Sequence, residues 1–214
     1  MTDIFHEVDE EVRRDQFKKL WDRYGILVIV AAFLVVAAVG GWRGYQWWQA
    51  TKAAEAGAAY DAAAELDEHG KSTEAAAAFS AVAAEGTAGY RVLAKLRAAA
   101  AERDAKAAVA AYDAIAKDGS VSTVLQEFAA VRAGLMLVDS APLAELTQRL
   151  GPLASPKGAF RHTARELLAL AAVRASDTTA AKRWFDEIIA DAETPQSVRA
   201  RIDILMTLND GGKG

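Results

Sequence analysis

Cysteine is absent from the chain, which excludes disulfides, thiolate catalysis and Cys-based zinc sites. Its absence assigns no compartment, because an oxidising compartment permits disulfides without requiring them. Proline is scarce, with four residues in 214, and β-branched runs are scarce after residue 50. Alanine dominates there instead, and Ala has the best intrinsic helix propensity, so the downstream region reads as all-helical. Positive charge is not in excess. The formal net charge is −4, which leaves no global basic field to attract nucleic acid. No GxGxxG, Walker loop, GxSxG elbow or HExxH occurs. The only histidines are His6, His69 and His162. Glu65, Asp67 and Glu68 cluster near His69, but carboxylates at a helix end ordinarily form a solvated face. These absences predict a non-enzymatic protein with no cofactor, no metal and no small-molecule substrate.

What is present begins with one long apolar run. No charged side chain lies between Arg23 and Arg43, and ten of the fourteen residues from Ile26 to Val39 are Ile, Leu, Val or Phe. As a helix, Gly25 to Trp42 spans about 27 Å, close to the hydrocarbon thickness of a bilayer. Those ten side chains favour insertion by about 3 to 6 kcal/mol. Trp21 and Tyr24 stand at one end, and Trp42, Tyr45, Trp47 and Trp48 at the other, as two aromatic belts. A cleaved signal peptide is the rival reading, since Ala38-Val39-Gly40 is a small-x-small triplet. The long acidic segment ahead of the run is a poor n-region, however. Arg13, Arg14, Lys18, Lys19 and Arg23 precede the run, against Arg43 and Lys52 after it. That bias places the N-terminus in the cytoplasm and the large C-terminal region across the membrane. The basic cluster also suits anionic membrane lipid. Gly40 with Gly44, and Ala37 with Gly41, have the small-xxx-small spacing of helix-packing faces. The expected organisation is a cytoplasmic tail over 1–24, a transmembrane helix with its interfacial exit over 25–48, and a folded domain over 49–210. In the tail, Ile4, Phe5, Val8, Val12, Phe17 and Leu20 suggest an amphipathic helix.

Downstream, turn signals at Gly70, Gly86 to Gly89, Asp118-Gly119, Asp139-Ser140, Gly151-Pro152, Ser155 to Gly158 and Asp191 to Pro195 separate segments of 12 to 17 residues. Thr123 with Gln126 reads as a capping box, and Thr194-Pro195 as N-cap and first helical residue. The segments repeat. Ala75, Phe79 and Val82 share their spacing with Ala108, Tyr112 and Ile115, and with Ala181, Phe185 and Ile188. In each triplet a small residue, an aromatic and an aliphatic fall on one helix face. Leu143, Thr147 and Leu150 would be a weaker unit. Val124, Phe128, Val131, Leu135 and Val138 mark one partner helix. Phe160, Ala164, Leu167 and Ala171 mark the next. A final helix carries Ile202, Leu205 and Met206 on one side and Arg199 and Asp203 on the other, like a terminal cap. A period of about 34 residues with a helix pair per unit is the tetratricopeptide signature. The alternative is a generic Ala-rich bundle. The fold expected is all-α, a single N-terminal transmembrane helix followed by a tetratricopeptide-like solenoid. Arg161, His162, Arg165 and Arg174 lie on one helix and could line a basic partner surface.

The layout, with Gly41-Trp42-Arg43-x-Tyr45 at the exit, Asp3 to Glu11 at the start and Lys19 to Gly25 before the span, resembles the YfgM-like ancillary subunits of the bacterial Sec translocon in their alphaproteobacterial form. The resemblance covers nearly the whole chain. It implies a bacterial inner-membrane protein whose repeat domain is periplasmic. The partners it implies are translocon membrane subunits, periplasmic chaperones and translocating chains. It carries over no catalytic residue. A scaffold for envelope assembly or cell division with the same architecture is the alternative.

Overall fold

A computed structural model describes residues 3–211, with side chains at 18 and 21–207. The expected amphipathic face of the tail (Ile4 to Leu20) lies outside the described side chains. Nine α-helices and no strands occur among the described residues: α1 Asp3–Glu68, α2 Ser72–Glu85, α3 Ala88–Ala101, α4 Ala105–Ala116, α5 Thr123–Leu137, α6 Leu143–Leu150, α7 Arg161–Arg174, α8 Thr178–Ala190 and α9 Gln196–Gly211. A 3-10 turn, Pro152–Ala154, follows α6. The chain divides into two compact units, residues 1–54 and 55–214.

In the first unit, α1 carries a segment long and apolar enough to cross a membrane. Its side chains point outward. Ile26, Phe33 and Val36 are all at least 70 % exposed, and Trp42, Tyr45, Trp47 and Trp48 are exposed too. The core helix of a soluble domain buries such side chains, since each is worth about 1.5 to 3 kcal/mol out of water. Gly25 is the exception: it is buried under the Trp21 ring. At the exit, the Tyr45 and Trp48 rings stand 6.1 Å apart, and Gln49 Nε2 donates to the Tyr45 hydroxyl at 2.6 Å.

The second unit is a stack of helices whose core forms three clusters, each built around one aromatic of the repeated triplets. Phe79 packs with Ala63, Ala75, Val82 and Ala94. Tyr112 packs with Leu96, Ala99, Ile115, Ala129 and Ala133. Phe185 lies in the largest cluster, with Leu146, Leu150, Leu168, Ile188 and Ile202. All nine triplet residues are buried. One helix pair cannot hide its own apolar face, so each pair borrows the next as cover.

Two pairs match closely. Helices α3 and α7 begin at Ala88 and Arg161, 73 residues apart, and end at Ala101 and Arg174, again 73 apart. Their partners α4 and α8 keep that offset at their starts, Ala105 and Thr178. Each follows an Asp N-cap whose carboxylate accepts a backbone N–H: Asp104 from Lys106 and Asp177 from Ala180. Capping of this kind is worth about 1 kcal/mol per helix. Two helix ends are closed by a left-handed residue. Gly70 (φ 74°) ends α1 and Ser176 (φ 57°) ends α7, with the following N–H reaching back to the carbonyls of Leu66 and Ala172.

Several local expectations change. Helix α6 has only eight residues and buries Leu146 and Leu150 while Thr147 faces outward. The weak unit is therefore not Leu143-Thr147-Leu150: burying the Thr hydroxyl would cost a hydrogen bond, and Pro152 stops the helix early. Leu150 seats against Gly134, where a Cβ would lie 2.7 Å from its Cδ2. On α5, Val124 and Leu135 are exposed, and the buried side is Ala129, Val131, Ala133 and Gly134. Small residues there let α5 approach α4 closely. Ser122, not Thr123, precedes α5. Gln126 Nε2 donates to the carbonyls of Asp118 (2.7 Å) and Val121 (2.9 Å) instead of closing a capping box. Thr194 does not cap α9 with its side chain. Its hydroxyl donates to the Ile188 carbonyl at 2.8 Å.

Candidate interaction surfaces

The first surface is a groove of about 580 Å³ between α2 and α4, floored by α3. These two flanking helices pack on α3 far more than on each other. Alanines make the walls: Ala76 and Ala83 from α2, Ala98 and Ala99 from α3, Ala111 and Ala114 from α4. At the rim, Lys95 Nζ pairs with Asp118 Oδ2 at 3.0 Å. The Ser120 hydroxyl and N–H also donate to Asp118. These donors, the Ser120 hydroxyl foremost and then Lys95, hold the Asp118 carboxyl down at about 2. Glu102 completes the rim, accepting from the Asp104 N–H at 3.0 Å.

The second surface is a cleft of about 800 Å³ where α7 meets the end of α8, lined by Arg161, Arg165, Trp184, Glu187, Asp191 and Glu193, among others. Arg161 and Arg165, expected to line a basic partner surface with His162, do line this cleft, but carboxylates offset their charge. Arg165 is buried and reaches Asp191 Oδ2 at 2.8 Å, the Ala154 carbonyl at 2.9 Å and Glu187 at 3.4 Å. Arg161 donates to Asp191 at 2.7 Å and also pairs with Glu193. His162 Nδ1 lies 3.1 Å from the Thr194 hydroxyl. Arg174 donates to the Ala141 carbonyl. A guanidinium facing the interior needs counter-charges, and α8 with its following loop supplies them. The Arg161 guanidinium, helped by the Glu193 N–H and by Arg165, holds the Asp191 carboxyl well below the ordinary carboxylate range against the opposing effect of burial. Burial, and then the Arg161 charge, lower the His162 imidazole.

The third surface is on α1. A Cβ added at Gly40, Gly41 or Gly44 meets nothing within 4 Å, so this face is open within the chain. Near the end of α1, His69 Nδ1 lies 2.7 Å from the Glu65 carbonyl. Among the described residues, no group of three or more His, Asp or Glu is arranged to hold a metal ion.

Sequence reasoning missed the Lys95–Asp118 pair and the link between α4 and α6, where Arg149 Nη1 donates to both Asp113 oxygens at 2.6 and 2.8 Å. One signal was available: Asp118 and Asp191 each stand six residues after the buried aromatic of their repeat.

A family model described as a tetratricopeptide repeat-like domain matches residues 18–207, taking in the apolar span as well as the stacked helices. None of the curated proteins and none of the solved structures compared with the chain matches it.

Proposed function

Because the chain belongs to the tetratricopeptide repeat-like domain family, we propose that it is a non-enzymatic, membrane-anchored adaptor ancillary to the Sec protein translocon. In this reading it links the translocon to periplasmic chaperones or emerging chains. Repeats of this family generally serve protein–protein binding. The observation that carries the finer reading is the apolar stretch of α1, whose side chains are exposed and whose Ala37, Gly40, Gly41 and Gly44 offer a small-residue face beside Tyr45. In a bilayer, such a face suits close approach of a second helix. The Trp21 and Tyr24 belt and the Trp42 and Tyr45 belt fix its depth. The Lys and Arg bias supports a single pass through the bacterial inner membrane, with 1–24 cytoplasmic, 25–48 in the membrane and 49–210 periplasmic.

Photocrosslinkers at Trp42 to Trp48 in native membranes test the reading. Adducts with translocon membrane subunits are expected. Adducts drawn only from envelope-assembly or division proteins would replace it with a scaffold of the same architecture. Protease protection tests the topology: digestion of residues 49–210 from the cytoplasmic side would overturn it.

A further inference from the structure

The 73-residue offset allows the second repeat (α3–α4) to be compared with the fourth (α7–α8), position by position. In the fourth repeat, Leu168, Ala171 and Ala172 are fully buried, in one cluster with Trp184. Arg183 stacks over the Trp184 ring at 4.0 Å and lies 3.6 Å from Glu187. In the second repeat, Lys95, Ala98 and Ala99 take the places of Leu168, Ala171 and Ala172. Ala110, Ala111 and Ala114 take the places of Arg183, Trp184 and Glu187. The α3–α4 pair is kept but the large side chains are missing: Lys95, Ala98 and Ala99 line an open groove with Ala111 and Ala114, where Leu168, Ala171 and Ala172 are buried, and the fourth repeat keeps only the cleft beyond Trp184 and Glu187.

We propose that this groove receives an aromatic side chain with a basic neighbour, carried on a partner polypeptide, the ring taking the part that Trp184 has in the buried cluster of Leu168, Ala171 and Ala172 in the fourth repeat. This rests on the reading of the chain as a protein-binding scaffold and names the chemistry of what it binds. Three observations select this occupant. The volume exceeds one indole and holds a short stretch of chain around it. The rim carries Lys95 against Asp118 and Glu102, so one negative charge is in excess and favours a cation beside the ring. Among the described residues, the exposed aromatics all lie between Trp21 and Trp48, and none of residues 55–207 is among them. The repeat domain of a second copy therefore has no exposed ring to insert.

The test uses the full chain in lipid nanodiscs with labelled alanine methyls, titrated with acetyl-Arg-Trp-amide and acetyl-Arg-Ala-amide up to about 10 mM. Saturable shifts are expected at Ala98, Ala99, Ala111 and Ala114 with Arg-Trp, and at least tenfold weaker binding with Arg-Ala. Ala111→Trp, which supplies the ring in cis, is expected to abolish these shifts. The dipeptide comparison on the wild-type chain holds whether or not that variant folds. Equal binding of the two dipeptides, shifts confined to other alanines, shifts persisting in a folded Ala111→Trp chain, or no saturable shift would each overturn the proposal. Shifts that follow protein concentration without dipeptide would assign the groove to a second copy instead. Translocon crosslinks from Trp42 to Trp48 do not depend on the groove, so either reading can fail alone.

Discussion

Arg165 on α7 holds Asp191, the residue after α8, at 2.8 Å across 26 residues of sequence. The same carboxylate takes Arg161 at 2.7 Å, so one acid locks two turns of α7 to the end of α8. The second repeat has a lighter version, Lys95 to Asp118.

Arg165 is the buried member of this knot, and removing it strands Asp191 with half its compensation and the Ala154 carbonyl with no donor from that side chain. Arg165→Met keeps most of the volume and is expected to cost about 3 kcal/mol in chemical unfolding. The Arg165→Met, Asp191→Asn double variant is expected to cost less than the sum of its singles, because the pair is removed together.

The two carboxylates give the domain an acid limit. Asp118 and Asp191 both have folded-state values below the ordinary carboxylate value, Asp118 at about 2. A depressed carboxylate contributes stability that is full above its unfolded value, about 3.9 for Asp. That contribution is lost as pH falls through the folded value. The melting temperature should therefore drop between about pH 4 and pH 2, and Asp118→Asn should flatten that drop. His162 acts earlier. Its folded value is lowered, so the unfolded chain binds the proton first below about pH 6.5. Stability should start to fall there, and His162→Gln should remove that part of the slope.

Ser176 holds the left-handed position that Gly70 holds at the end of α1. A Cβ is strained at that φ, and glycine is not. Ser176→Gly is expected to stabilise the repeat domain by about 0.5 to 1 kcal/mol, read as a rise in melting temperature. The N–H of Asp177 donates to the Ala172 carbonyl in either case.

The triplets were legible because a helix writes its buried stripe into the sequence at spacings of three and four, and large side chains at Phe79, Tyr112 and Phe185 make the stripe visible. The buried side of α5 was legible only in part: Val131 and Val138 of the expected stripe are buried and Phe128 packs in the Tyr112 cluster, but Ala129, Ala133 and Gly134 are buried too, while the larger Val124 and Leu135 face outward. A pattern weighted by hydrophobic size overlooks small residues when close approach is what the fold needs. The cations of α7 were visible, but their counter-charges stand 22 to 32 residues further on, in α8 and the loop after it. The alanine groove was hardest to see. It consists of side chains that are missing, and it shows only when Ala111 is set against Trp184.

Glycines in the two units should respond in opposite ways. A Cβ at Gly57 would lie 2.8 Å from the Tyr90 hydroxyl, so Gly57→Leu forces Tyr90 aside in the Phe79 cluster and is expected to destabilise the repeat domain by about 1 to 3 kcal/mol. At Gly40 and Gly44 a Cβ meets nothing in the chain. Gly40→Leu with Gly44→Leu should leave the melting temperature and membrane insertion unchanged, because Leu favours both helix and bilayer. If the small-residue face seats a neighbouring helix, the added bulk holds the two backbones apart. Crosslinking from Trp42 to translocon subunits should then fall to background while the protein level stays the same. Undiminished crosslinks in that variant would show that the neighbour is reached by another face of α1.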